Sequence, residues 1–436
     1  MQDREAGRTR RKGRGAKIVR PFRCHAGLIE DDSGEFILDM VNCEVLVVGA
    51  GPVGTTCAAR LASMGIRVTL IEQEPDCAHD LRASTIHAST LEMLDEIGAA
   101  EALIGMGLKA PIYQMRDRRS GEAIRFDLTE LSDFTKFPFR LQCEQHYLAK
   151  LLSQRIAEIE GMDVHFGCRL LDVREDAEGV VATVEQDGET REITAHFVVG
   201  ADGSRSVVRK ATGIGFSGFT YEEKFVSMST SYAIEEAMPD LDYVNYISDP
   251  EEWLVLLKVP GIWRVLVPGD GATSDEDLIS DRNKEQVFSR IVGHGDVETT
   301  HRTIYRVHQR VADQFVKGRM AIVGDAAHLN NPLGGFGMNS GIHDGWNLAD
   351  KLWQILRKDA DREALALFER QRQAVTRSFI QTQTIENMKT MGQVDPNAQE
   401  AKRAEMRRVH ADPDARRQYL MRQSMFASLQ QEKEIV

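Results

Sequence analysis

Residues 44–54 read Glu44-Val45-Leu46-Val47-Val48-Gly49-Ala50-Gly51-Pro52-Val53-Gly54. The first five form a short apolar run of the kind that makes a fully buried parallel strand. Gly49 then permits a tight turn, Gly51 lets a pyrophosphate approach the backbone, and Gly54 allows the next helix to pack close to the strand. In that helix Gly54, Ala58 and Ala62 recur at i, i+4 and give it a smooth face. Val68-Thr69-Leu70-Ile71 is a second strand, so the opening is a β-α-β unit. Glu72, followed by Gln73, ends that strand at about the 20-residue spacing expected of a carboxylate on an adenosine ribose. An acid there favours a free 2′-hydroxyl. A lone GxGxxG is weak, but between a strand and a helix it predicts a bound dinucleotide, with Gly49, Gly51, Pro52, Val53 and Gly54 against it.

Two further segments repeat this strand–turn–helix pattern. Gly200-Ala201-Asp202-Gly203-Ser204-Arg205-Ser206 follows the strand Phe197-Val198-Val199; alone it is a capped turn, since Asp and Ser both cap helices. Gly324-Asp325-Ala326-Ala327-His328 follows Ile322-Val323, and its carboxylate suits the hydroxyls of a sugar-like chain. Asn331-Pro332-Leu333-Gly334-Gly335-Phe336-Gly337-Met338-Asn339 then feeds another helix. The backbone of Gly335 and Gly337 in that loop brings N–H groups and a helix N-terminus to bear on developing negative charge.

Three such segments in this order resemble the class A FAD-dependent aromatic hydroxylases, of the para-hydroxybenzoate and 3-(3-hydroxyphenyl)propionate hydroxylase type. The resemblance spans about Met40 to Arg372 and includes Arg82-Ala83-Ser84 before a helix and Gln142 at the start of another. It implies non-covalent FAD, with Val53, Glu72, Arg82, Ala83, Gln142, Asp202, Gly203, Gly324, Asp325, Gly337, Met338 and Asn339 in contact. It implies NADH or NADPH as co-substrate, with Arg205 a weaker candidate beside a solvated-arginine reading. It implies hydroxylation of a small aromatic substrate by O2 through a C4a-hydroperoxyflavin, with the Pro332 carbonyl facing the reacting site. Tyr243 stands where a phenol-polarising tyrosine could be.

The fold class expected is α/β, α+β overall: a discontinuous Rossmann-like FAD-binding domain, an antiparallel β-sheet substrate domain and a helical C-terminal region. The boundaries are 41–215 plus 301–360 for the FAD domain, 216–300 for the β domain and 361–436 for the helical region. Ala83–Ile97 and Leu148–Ile159 carry helical periodicity; Val164–Phe166, Val180–Val184 and Ile193–Val199 read as strands. Pro260-Gly261 between Trp253–Val259 and Trp263–Val267 signals a hairpin. Residues 1–40 are read as a disordered basic extension, and a start at Met40 would yield the enzyme without it; the alternative reading is a targeting or nucleic-acid tail.

Composition narrows the function. The 436 residues carry a formal charge of -13, which argues against a nucleic-acid surface. No apolar run of about 18 residues predicts a membrane-inserted helix. The six cysteines are scattered, which suits a cytoplasmic protein, and with His87, His146 and His328 they form no metal-ligand pattern, so no metal is expected. A homodimer is left open.

The resemblance thins at the substrate. The serine–arginine carboxylate clamp of the para-hydroxybenzoate member is missing from Trp253–Lys258, which favours a less polar phenol or an acid held elsewhere. Trp253 and Trp263 read as core and Lys258 as surface. The residues after Leu365 carry no strand pattern, so the architecture without a thioredoxin-like C-terminal domain is the expected match. Rival readings are a ubiquinone-pathway hydroxylase, which shares every motif, and a flavin-dependent halogenase, whose WxWxIP segment is missing. A non-catalytic FAD-fold binding protein, similar to the Rab escort group, is the more distant one.

Overall fold

The computed structural model describes residues 42–77 and 83–436, with the backbone of Leu28–Glu30 and Phe36–Leu38. Those two short strands pair antiparallel. The remainder of the expected 1–40 extension, Met40 included, and Arg82 lie outside the described residues.

The opening β-α-β unit forms as read. Cys43–Val48 runs parallel to Val68–Glu72, with helix Pro52–Ser63 between them. Every residue of the first strand is buried, which is why its sequence lacks the polar alternation of a half-exposed strand. Glu189–Gly200 lies on the other side of Cys43–Val48 and pairs beyond that with Met320–Ile322, so the chain returns to this sheet after leaving it. Gly200 is in register with both Val48 and Ile322. The three strands therefore end together, and the turns that follow them meet at one carboxyl edge, where open parallel sheets bind ligands.

The second sheet is larger than residues 216–300 and differs from the expectation in two ways. His301–Ala312, assigned from sequence to the FAD domain, pairs along Phe216–Thr230 instead. Val307, Gln309 and Val311 are buried on alternate positions of that strand, a period-two signal that belongs with a sheet face. Ile112–Asp117 and Ala123–Asp127 supply the far edge, and Val244–Ser248 pairs with Ile112–Asp117 in parallel. The sheet is thus mixed, because those two strands are too far apart in sequence for a hairpin to set their direction. Trp253 and Trp263 are core, at 3% and 2% exposure. Lys258 is not a free surface group: it pairs with Glu235 at 3.0 Å and lies over Trp263.

Within Ala83–Ile97 only Ala88–Glu96 is helical; Thr85–Ile86 is a strand paired with Arg140–Gln142. Ile86 joins the same apolar cluster as Leu91 and Leu94, so one apolar pattern serves both elements. The long helix begins at Phe336, ahead of Asn339, and runs to Lys358. A Cβ at its Gly341 would stand 2.7 Å from Val53 and 2.9 Å from Gly324, so that glycine sets how closely it packs on the first helix and the Gly324 turn. The C-terminal helices fold back over the second sheet: Arg407 binds Glu122 at 2.6 Å, Arg416 binds Glu130 at 2.9 Å, and Arg403 pairs with Asp117.

Candidate active site

The turns at the carboxyl edge line one continuous groove. Ala50, Val53, Ala83, Asp325 and Met338 wall a cavity of about 250 Å³. A second, of about 400 Å³, is walled by Gly49, Gln73, Asp202 and Arg205. Gly51, Glu72, Ala201 and Gly203 belong to both, which joins them end to end.

The glycines act as their positions predict. Gly49 has φ +104°, and a Cβ there would lie 2.4 Å from the Ala201 carbonyl oxygen. A Cβ at Gly54 would lie 1.9 Å from the Gly49 oxygen, whereas one at Gly51 would meet nothing within 4 Å. Gly51 therefore faces open space, as an approach point for a ligand must. Glu72 is fixed at the groove wall, its Oε2 accepting from the Ala50 N–H at 2.8 Å and its Oε1 from the Glu74 N–H at 3.0 Å.

Asp202 caps helix Val207–Ala211 through Oδ2, which accepts from the Val207 and Val208 N–H groups at 2.7 and 3.2 Å. Its Oδ1 is buried with no protein partner, and burial pushes the carboxyl pKa up. Gln142 is wholly buried; its Oε1 accepts from Thr85 at 3.1 Å, while its Nε2 has no partner. Asn339, expected among the cofactor contacts, has its side-chain amide engaged within the protein. Both N–H groups of its amide are used internally, toward Thr85 O at 2.9 Å and Gly335 O at 2.8 Å, and its Oδ1 accepts from His87 N at 2.9 Å. It ties residues 85–87 to the start of the long helix. Arg205 sits with Gln73 at the end of the groove beyond Glu72, away from Met338.

An open glycine floor, a buried amide nitrogen and a carboxylate oxygen that have no partner among the described residues, and the N–H groups that open a 23-residue helix suit an extended, anionic dinucleotide. These residues fit FAD. A family model for an FAD binding domain matches residues 42–383. The chain is 28% identical over 383 residues to para-nitrophenol 4-monooxygenase of Pseudomonas sp. strain WBC-3, covering 86% of this chain and 94% of that protein.

This chain belongs to the family of FAD-dependent aromatic hydroxylases.

The hydroxylase is also 28% identical over 346 residues to the 3-(3-hydroxy-phenyl)propionate/3-hydroxycinnamic acid hydroxylase of Mycolicibacterium smegmatis, across 78% of this chain and 60% of that one. The crystal structure of p-nitrophenol 4-monooxygenase from Pseudomonas putida superimposes with a TM-score of 0.83 at 26% identity, covering 88% of the hydroxylase and 98% of that chain. Among the described residues no helix is long and apolar enough to cross a membrane.

Behind the groove, buried charges hold the hydroxylase's long helix in place. Asp344 accepts from Gly324 N at 3.1 Å and from Arg372 Nε at 2.7 Å, and meets His328 Nε2 at 2.7 Å; Arg372 also pairs with Glu432 near the end of the chain. Burial alone would raise the Asp344 pKa, but His328 and Arg372 outweigh it and bring it to about 2.

A further cavity of about 250 Å³ lies between the second sheet and the C-terminal helices, walled by Tyr113, Met115, Tyr246, Leu333, Gly334, Met391, Met406 and Tyr419 among others. It meets the loop that opens the long helix. There Gly334 and Gly335 have φ +106° and +72°, which glycine adopts without strain. The Gly335 N–H donates to Pro332 O at 3.0 Å, and Gly334 O lies 3.0 Å from His87 Nε2. A carbonyl only accepts, so Nε2 carries the ring proton and Nδ1 is a bare acceptor, buried without a partner. Burial, and then the charge of Arg140, hold the His87 pKa well below its ordinary value, and the ring stacks on Phe336.

Two expected catalytic positions are not among the residues that wall this cavity. Pro332 is exposed, its carbonyl closes the turn with Gly335, and Leu333 and Gly334 wall the cavity in its place. Tyr243 is 43% exposed and walls neither groove nor cavity, because it precedes strand Val244–Ser248; Tyr246, within that strand, reaches the cavity. Sequence reasoning missed Tyr113, Tyr246, Tyr419 and Arg140. Arg140 carried a usable signal: two residues before Gln142 on one strand, it shares that residue's face.

Proposed function

We propose that the hydroxylase adds one oxygen atom to a small phenol seated in the Tyr113–Gly334 cavity, with NAD(P)H as reductant and O2 as oxygen source. The observation that carries this is the cavity's position: its wall includes Leu333 and Gly334, in the loop whose helix opens against the FAD groove. The balance is one phenol, one O2, one NAD(P)H and one proton to one hydroxylated phenol, NAD(P)+ and water. When bound, FAD supplies the two-electron relay and the oxygen-activating ring.

The chain's own contribution is placement and exclusion of water. Leu333 and Gly334 fix one side of the substrate, and the side chains of Met115, Met391 and Met406 adapt to its substituents. The hydroxyls of Tyr246 and Tyr419 stand at the wall, able to hydrogen-bond a phenol oxygen. Helices Thr382–Met391, Pro396–Ala411 and Pro413–Gln423 cover the cavity and keep bulk water from the reacting ring. The relatives named for nitrophenol make a para-substituted phenol the first substrate to try. The described cysteines are all unpaired, which suits the reducing cytoplasm.

A panel of phenols, screened for stimulated NAD(P)H oxidation with product mass checked for one added oxygen, tests the proposal. At least one phenol should give coupled oxidation and product. Stimulation by none, with no oxygenated product, overturns it.

A further inference from the structure

The C-terminal helices hold their arginines in different ways. Arg403, Arg407, Arg416 and Arg417 each bind a carboxylate, Asp117, Glu122, Glu130 and Asp133 in turn. Arg422, one residue short of the end of helix Pro413–Gln423, binds none among the described residues. It is exposed yet held in place: its Nε–H donates to Gln383 Oε1 at 2.9 Å, and the guanidinium lies 5.2 Å from the centre of the Phe379 ring. That leaves Nη1 and Nη2, the outer edge of a planar fork whose shape matches a carboxylate.

Arg422 stands in the wall of the cavity read above as the substrate site. From it a run of side chains, all in that wall, leads to the loop that opens the long helix. Gln383 Nε2 donates to Asn387 Oδ1 at 3.0 Å, and Asn387 Nδ2 donates to Leu333 O at 3.0 Å. The guanidinium is therefore fixed relative to that loop. The other charges of the wall are compensated: Lys402 binds Glu405 at 2.9 Å, and Glu386 binds Lys389 at 3.0 Å. One positive charge is left without a partner, in a wall whose remaining groups are neutral.

We propose that Arg422 receives a carboxylate borne by the substrate, through Nη1 and Nη2, so that the hydroxylase selects phenols carrying one carboxylate over uncharged ones. The single uncompensated charge favours a monoanion, and the ring of a substrate so held lies between Arg422 and the Leu333–Gly334 wall. Arg422 is thus a specificity-determining residue. It supplies from a C-terminal helix the acid-binding cation missing from Trp253–Lys258. The inference rests on the cavity reading above.

The test is a calorimetric titration of the FAD-loaded protein, without NAD(P)H, with 4-hydroxybenzoate, 4-hydroxyphenylacetate and 3-(3-hydroxyphenyl)propionate, each set against its primary amide. The amide keeps the shape and the phenol but not the charge. At least one acid should bind about tenfold more tightly than its amide, as a charge-assisted pair of hydrogen bonds at a partly solvated site implies. In Arg422→Met that preference should vanish, while Arg422→Lys should retain part of it. A wild type that prefers no acid over its amide overturns the proposal with no variant needed. So does a preference undiminished in Arg422→Met, or a fall there that is equal for acid and amide, the mark of a merely structural role. Met406→Trp separates the two readings: if filling the cavity changes the binding of neither acid nor amide, the cavity reading fails and this inference with it. If both are displaced but the wild type shows no preference, only the role of Arg422 fails.

Discussion

The groove and the cavity are built on opposite plans. Backbone and glycine make the groove: three strands end in register, and Gly49, Gly51 and Gly54 shape the first turn within six residues. Side chains make the cavity, and they come from remote places, with Tyr113, Tyr246 and Tyr419 on two strands and a C-terminal helix. Backbone geometry tolerates no substitution at its tight points, while a side-chain wall can be altered one residue at a time. The groove should therefore fail abruptly and the cavity by degrees.

The largest effect is expected from Gly54→Val. Its Cβ would collide with the Gly49 carbonyl, and neither atom belongs to a flexible side chain. Purified protein should be insoluble or colourless; a stable yellow variant would show the turn to be more pliant than described. Asp344→Asn comes next, since it strips the compensating charge from buried Arg372 and should cost about 3–5 kcal/mol in urea unfolding. A loss under 1 kcal/mol would mean that Glu432 suffices.

Acid sensitivity is the third test. Burial lowers the pKa of His343 to about 3 and holds that of His87 well below its usual value, so both are neutral in the folded protein. The unfolded chain protonates them near pH 6.5, so stability is complete above that value and falls as pH drops toward 3. The slope is about 1.4 kcal/mol per pH unit for each histidine. His343→Gln should remove one histidine's share of the slope between pH 6 and 4, and an unchanged slope would contradict its neutrality.

Gly51→Ala is the complement of Gly54→Val. A methyl group there meets no protein atom but projects into open space, so the apoprotein should melt as the wild type does while FAD affinity falls by about tenfold. Smallest is Met406→Leu, a near-isosteric change in the cavity wall that should cost under about 1.5 kcal/mol and move KM a few-fold among phenols of different bulk. An altered FAD affinity would show the two regions to be less separable than their construction implies.

That same contrast decides what the sequence discloses. A motif such as residues 49–54 carries its geometry with it, because turn, approach and packing are local demands met by glycine. The positions of Glu72, Asp202 and Asp325 at the groove were legible for the same reason, each standing at or just past the end of a buried strand. At Asn339 the glycine loop signalled a helix, but the partners of the amide lie in a segment more than 250 residues earlier, which no local pattern names. Tyr243 and Tyr246 show the limit most plainly, since two tyrosines three residues apart differ only in which one enters the strand. His301–Ala312 was misplaced because the strand it pairs with, Phe216–Thr230, is distant in sequence and alternation alone names no partner.

Everything turns on the meeting of groove and cavity at the loop from Pro332 to Gly337. A crystal structure with FAD and 4-nitrophenol bound would examine that junction. The adenosine should rest beside Glu72, the flavin ring against Gly335–Met338, and the phenol between Gly334 and Tyr246. A flavin ring lying away from this loop, or a phenol bound outside the Tyr113–Gly334 cavity, would contradict it.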